Sequence, residues 1–289
     1  MLLYLWILAH AVTAAIISAI ILPPLKQMLK DAGAVKANYQ QREVVNMMGI
    51  IIILTWVSLI GVAALFSSVV DMLGLPVPQG FIISPDIAMP LTIIVIGAGL
   101  FGLIDDLLGS RESTGFRGHI GALFKGRLTT GALKAVGIPV VAILSSSLFS
   151  SGILEVLGNA ILIALFVNAL NLLDLRPGRA LKFYIPLQLF FVYAAGSTLG
   201  SSSAALIGIA LILLGPDLRE EIMLGDTGAN VLGGILGFCL VVTFGWNIKL
   251  PVIVLLILLQ VLTEKYSISA IIERVPILKS LDDLGRRAD

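Results

Sequence analysis

The chain has 289 residues, 58% of them apolar and 13% charged, with a net charge of +1. Soluble domains carry about 25% charged residues, so a water-facing globular protein is excluded, as are a disordered chain, a collagen-like repeat and a disulfide scaffold. A mean hydropathy of +1.03 and this length suit an all-α, polytopic membrane bundle, and near-neutral charge supplies no field for nucleic acid.

In lipid every backbone polar group must be satisfied within the chain, so long apolar runs mean helices. Nine are expected: 2–22, 47–70, 88–104, 131–149, 153–173, 183–198, 202–215, 229–246 and 248–264. The first lacks a basic leader and a small-residue cleavage site, so it is expected to be retained as a span. The single cysteine, Cys239, lies in an apolar run and is expected to be a buried packing residue. No repeat and no second domain are evident, so residues 1–289 form one domain. The polar connections at about 23–46, 105–130, 174–182 and 216–228, with the tail 265–289, fall on one side of this arrangement.

Eighteen of the 19 Lys and Arg residues belong to that side, and only Lys249 to the other. Such a bias places the charged side in the cytoplasm, the N-terminus outside and the C-terminus inside. Any chemistry is therefore expected at the cytoplasmic face of a multi-pass cell-membrane protein.

Three polar constellations follow one another on that side. In Gly102-Leu103-Ile104-Asp105-Asp106, two adjacent carboxylates end an apolar helix. Negative charge is unfavourable at a helix C-terminus, so a cation or hydrogen-bond donors must compensate it. In Asn168-Ala169-Leu170-Asn171-Leu172-Leu173-Asp174, three polar groups recur every third residue. They are expected to share one face and to line a cavity. In Leu224-Gly225-Asp226-Thr227-Gly228-Ala229-Asn230, Gly225 lets backbone approach a ligand closely while Asp226 offers an acceptor; simple helix capping is the competing reading. Hard cations such as Mg²⁺ (or Mn²⁺) take one or two carboxylates plus phosphate and water. Asp105, Asp106 and Asp226 could supply those ligands. Arg176 and Arg179 flank the Pro177-Gly178 turn and suit bidentate binding of a diphosphate.

Two further stretches have helical apolar spacing. Phe116, Ile120, Leu123 and Phe124, interspersed with Arg117, Lys125 and Arg127, suit a helix lying in the membrane interface. The tail residues Ile268, Ile272, Val275 and Leu278 suit another, interrupted near Pro276.

As a set and in this order, the three constellations resemble those of the polyprenyl-phosphate N-acetylhexosamine-1-phosphate transferases (glycosyltransferase family 4). That family includes the phospho-MurNAc-pentapeptide translocase and the UDP-GlcNAc:undecaprenyl-phosphate GlcNAc-1-phosphate transferase. The resemblance covers nearly the whole chain. It implies a Mg²⁺-dependent phosphotransferase that moves a sugar-1-phosphate from a UDP-linked nucleotide sugar to a polyprenyl phosphate, for cell-wall or surface-glycan synthesis. It makes Asp226 a metal ligand, with Asp105 beside it. Asp105 and Asp106 would bind metal or position or deprotonate the lipid phosphate, and Asn168, Asn171 and Asp174 would lie near the donor nucleotide. A homodimer is compatible with it.

The chain departs from the family pattern in several places. Gly109 stands where a polar residue is common, Leu175-Arg176-Pro177-Gly178-Arg179 replaces an acidic glycine-rich segment, and Val44-Val45-Asn46 replaces a proline-containing one. The family's histidine cluster and a tenth span are missing. These mark a divergent branch. Two other readings remain: a relative that binds or regulates lipid-linked intermediates without catalysis, and a small-molecule transporter.

Overall fold

The computed structural model describes residues 2–75, 83–109, 129–196 and 198–286. Among the described residues run nine long helices: α1 (Leu2–Asp31), α2 (Ile50–Met72), α3 (Pro85–Leu108), α4 (Thr130–Ser146), α5 (Ile153–Leu173), α6 (Arg179–Ala194), α7 (Gly200–Leu218), α8 (Gly225–Thr243) and α9 (Trp246–Thr263). Two short helices, α10 (Ile268–Arg274) and α11 (Pro276–Asp283), follow. Each expected run overlaps a long helix, with ends that differ by a few residues in most cases. Seven of these helices are long and apolar enough to cross a membrane, so the chain is a polytopic helical membrane protein. The other two are shorter, α4 with 17 residues and α6 with 16.

Two differences from expectation concern residues 23–46. Helix α1 continues through Pro23 and Pro24 to Asp31. Two prolines cost backbone hydrogen bonds, but burial of Leu25 and Leu29 just beyond them holds the helix together. The rest of the segment is not a plain loop. Strands β1 (Val35–Ala37) and β2 (Glu43–Val45) pair antiparallel, Val35 opposite Val45. This small ribbon is the one departure from an all-α fold among the described residues.

Helix α8 is the axis of the bundle. From Thr227 to Val241 every residue is buried, with α3 and α5 packed along it. Small residues make that possible. A Cβ at Gly233 would stand 2.5 Å from the Phe166 carbonyl oxygen, and one at Gly237 would stand 2.7 Å from the Ile163 Cα. Without a hydrophobic drive between helices in lipid, such backbone approach supplies the packing attraction. Interhelical hydrogen bonds add to it, among them Ser18 with Thr55 (2.9 Å) and Trp56 Nε1 donating to Thr92 (2.9 Å). Cys239 is buried as expected.

Side-chain and backbone contacts bring alternate helix ends together at one end of the bundle. Lys26 near the end of α1 meets Glu221 after α7, and Met48 before α2 donates to the Met223 carbonyl. Asp106 of α3 and Lys134 of α4 meet the start of α8, and Gly178 before α6 donates to Asp217 of α7. At the opposite end Lys249 is buried. It donates to Asn159 (2.9 Å) and lies over the Trp246 ring.

Candidate functional site

The site forms where α3, α4, α5 and α8 converge. Asp106 is the keystone. Its carboxylate accepts from the backbone N–H of Asp226 (3.1 Å) and of Thr227 (2.9 Å), the Thr227 hydroxyl (2.8 Å) and the Asn46 amide (3.1 Å). A carboxylate at the end of one helix thus caps the start of another. The orphan N–H groups and positive end of α8 compensate a charge that α3 alone would disfavour. The capping reading of the third constellation is corrected in this respect. Asp226 and Thr227 do not cap their own helix; Asp106 caps it from across the bundle.

That role saturates Asp106 with donors, so it is a positioning group for the 225–227 backbone more than a free ligand or base. Gly225 makes the approach possible, with φ at +71° and a would-be Cβ 2.5 Å from Asp106 Oδ2 and 2.8 Å from Asn46 Oδ1. Gly225→Ala is expected to cost about 1–2 kcal/mol from the left-handed backbone alone, and more from the clash. Thermal melting should show the loss, and an unchanged midpoint would contradict the capping geometry.

The freed side of Asp226 faces Lys134. The Lys134 ammonium pairs with Asp226 Oδ1 and stands 3.7 Å from Asp105 Oδ2. With its amide oriented to satisfy both atoms, Asn171 accepts from Lys134 (2.6 Å) and donates to Asp226 and to Asn230 (3.3 Å each). Asp105, Asp226, Asn171 and Lys134 therefore form one cluster, a single ammonium between two carboxylates. Asp174 closes the floor at the end of α5 and accepts no hydrogen bond from the described residues. Burial first, then the neighbouring Asp217, Asp226 and Asp106 carboxylates, hold its carboxyl well above the ordinary value.

The ribbon forms the opposite wall. Glu220 binds the Asn38 amide (2.7 Å) and the Tyr39 hydroxyl (3.1 Å), with Arg42 at 3.7 Å. Backbone bonds from Met223 to Val45 (2.8 Å) and from Met48 to Met223 (3.1 Å) tie the ribbon to the α7–α8 connection. Arg176 lies over the Tyr39 ring at 4.2 Å and reaches Glu273 at 3.3 Å. Between these walls is a pocket of about 430 Å³, lined by Asp106, Asn171, Asp174, Arg176, Gly225 and Asp226, together with Lys36, Asn46, Asp217 and Glu220.

Three expected site residues do not line it: Asp105 stands beside Lys134 in the adjoining cluster, and Arg179 and Asn168 lie elsewhere. Arg179 is buried with its guanidinium bidentate on Asp282 (2.7 and 2.8 Å) and its remaining nitrogen on Ser269 (3.0 Å). Its fork is engaged by the tail, and the expectation that it binds a diphosphate is corrected accordingly. Asn168 turns outward. It lines a second, largely apolar groove of about 280 Å³ between α4, α5 and α9, with Leu157, Ile161 and Gln260. The shared face expected of Asn168 and Asn171 is therefore split, with Asn171 turned inward. The expected interfacial stretch with Phe116, Arg117, Ile120, Leu123, Phe124, Lys125 and Arg127 lies outside the described residues.

Lys134 was legible only as one more basic residue. Its better signal is a cation near the start of an apolar helix, where the dipole disfavours it unless acids stand opposite. Asp217 and Glu220 carry no comparable signal, because only the ribbon's return path makes them part of the pocket. Among the described residues no three His, Cys, Asp or Glu side chains stand close enough together to hold a metal ion by themselves. No protein-family model and no curated protein matches the chain.

Proposed function

We propose that the chain is an integral membrane sugar-1-phosphate transferase, moving an N-acetylhexosamine-1-phosphate type group from a UDP-linked sugar to a polyprenyl phosphate. The observation that carries the reading is convergence. Six residues singled out from separate polar segments, Asp106, Asn171, Asp174, Arg176, Gly225 and Asp226, line one pocket. The motif resemblance supplies the reaction class.

The donor set suits Mg²⁺ or Mn²⁺ bound in the manner of one or two carboxylates completed by substrate phosphate and water. Asp226 would hold the ion, with Asp105 across Lys134 and with Asn171 and Asp174 beside it, all of them oxygen donors. Bound there, the ion would neutralise the diphosphate. Arg176 stands at the pocket wall where it can fork onto a phosphate. Lys134 stands between Asp105 and Asp226 and offsets part of their charge. Asp106 fixes the 225–227 backbone at the start of α8 by accepting its N–H groups. In the reaction a lipid-phosphate oxygen forms a bond to the sugar-proximal phosphorus, and the bond to the UMP oxygen breaks. Positioning and charge stabilisation supply the acceleration. The outer groove with Asn168 and Gln260 suits the apolar acceptor chain, since it opens on the lipid-facing flank.

The same reading takes nine spans, the N-terminus outside, the C-terminus inside and the pocket at the cytoplasmic face of the cell membrane. The one-sided distribution of 18 basic residues supports it. A cysteine placed at exposed Ser280 should react from the cytoplasm, and one at exposed Ser151 from outside; the reverse pattern would contradict this topology. For the pocket itself, Arg176→Ala should weaken UDP-sugar binding in the presence of Mg²⁺ by about 1.5–3 kcal/mol, the scale of a charged hydrogen bond. Arg176→Lys should restore only part of it. Calorimetric titration decides the point, and unchanged affinity in both variants would remove Arg176 from the donor site.

A further inference from the structure

The C-terminal helices line neither the pocket nor the bundle core, yet they are held firmly. Asp282 on α11 is buried in its bidentate pair with Arg179. Lys182 donates to the carbonyls of Leu281 (3.0 Å) and Leu284 (3.1 Å) and to that of Asp282. Arg286 returns to the Pro177 carbonyl (3.1 Å) and to Asp282 (2.6 Å). The segment so gripped contains Arg176 and Pro177, which line the pocket.

Helix α11 has three distinct sectors. Asp282 faces the protein, and Asp283 is exposed beside Arg286 (3.5 Å). Between them Ile277 (74% exposed), Leu281 (58%) and, just after the helix, Leu284 (66%) stand in a row at i, i+4, i+7. Such spacing places them on one helix face. A row of bare large apolar groups on a firmly held helix needs an occupant. The lipid-facing surface supplies one by continuity. Helix α9 exposes Val254, Leu255, Leu258, Val261 and Leu262 along its length, and only residues 264–267 separate it from α10. The tail therefore starts at the edge of the apolar belt. Lys265, Arg274 and Lys279 make no ion pair among the described residues, which suits a headgroup layer containing anionic lipid.

We propose that the apolar face of α11 is seated in the membrane interface at the pocket end of the bundle. The Arg179–Asp282 pair then makes this lipid contact a strap that holds the 176–182 segment, and with it the pocket wall. The inference does not depend on the transferase reading, because it concerns where the tail lies and not what the pocket turns over.

The test is a depth profile of the full-length chain, carrying Cys239→Ala, reconstituted in phosphatidylcholine–phosphatidylglycerol vesicles. Single nitroxides at Ile277, Leu281 and Asp283 are read for collision with oxygen, which partitions into lipid, and with a water-soluble nickel chelate. The expected result is an oxygen-to-nickel ratio severalfold higher at 277 and 281 than at 283. All three sites are exposed, so labels there leave the fold intact. Equal nickel accessibility at the three sites would overturn the proposal in favour of a solvated helix. Protection of 277 and 281 from both reagents would overturn it in favour of a protein cover, a second copy or another chain.

Discussion

Asp226→Asn is expected to abolish turnover while leaving the bundle folded. The amide keeps the shape of the carboxylate and lies at the partly open side of the Lys134 cluster, not in the α8 core. What it removes is the charge. On the transferase reading a hard dication would lose its principal ligand, and Lys134 would be left with one carboxylate, Asp105 at 3.7 Å, beside amide oxygens. Losing one strong transition-state electrostatic contact costs about 10²–10³ in rate, so turnover should fall by at least that factor. The melting midpoint should move little, because Asp106 continues to bind the backbone N–H groups at 226 and 227. Asp106→Asn should behave differently. It replaces an acceptor that serves four donors, so it should lower stability and activity together. Near-normal turnover in Asp226→Asn would remove Asp226 from the reacting centre.

Asp282→Ala is expected to give the largest loss of local stability. Arg179 and Asp282 are 6% and 8% exposed, and their two parallel bonds are short. Removing one partner strands a buried charge, which typically costs about 3–5 kcal/mol, whereas replacing both by apolar groups is often neutral. Asp282→Ala should therefore free the tail to proteolysis and shift the melting midpoint down, while Arg179→Leu with Asp282→Leu should recover part of the loss, Arg286 losing Asp282 but keeping the Pro177 carbonyl and Asp283.

The pair also sets a pH dependence. Burial pushes the Asp282 carboxyl up, but the hydrogen bonds and charges of Arg179 and Arg286 outweigh it and hold the group below the ordinary carboxylate value. A group depressed in the folded state contributes stability above its unfolded pKa and loses it as pH falls through its folded pKa. Tail protection should be flat near neutrality and fall only in the acidic range below the ordinary aspartate value. Tail release that begins as pH rises would contradict this sign.

Much of the fold could be read from the sequence because lipid leaves few options. Apolar runs bounded by Gly, Ser and charged residues had to be helices, and α5 (Ile153–Leu173) falls on the expected residues. The ribbon was not legible, because strands of three residues carry no usable alternation, and Val35–Ala37 is exposed throughout. At the site, local arguments succeeded where compensation was demanded. The Asp105-Asp106 pair at a helix C-terminus called for a cation and donors, and Lys134 and the start of α8 are those groups. Local arguments failed where the partner was remote. Arg179 was assigned to a phosphate because Asp282, 103 residues away, cannot be foreseen from a Pro-Gly turn. Asn168 and Asn171 diverge because a spacing of three leaves two side chains about 60° apart around the helix axis, and the seam between pocket and outer groove passes between them.

The most direct test of the central proposal is UMP release by the purified chain. UDP-linked N-acetylhexosamines are supplied with undecaprenyl phosphate and Mg²⁺, and the lipid product is followed alongside the nucleotide. The proposal requires UMP and lipid-linked sugar-1-phosphate in equal amounts, dependent on the divalent ion and lost in Asp226→Asn. Absence of UMP across the donor series, from protein that binds the same donors calorimetrically, would contradict a transferase and leave a pocket that binds without turnover.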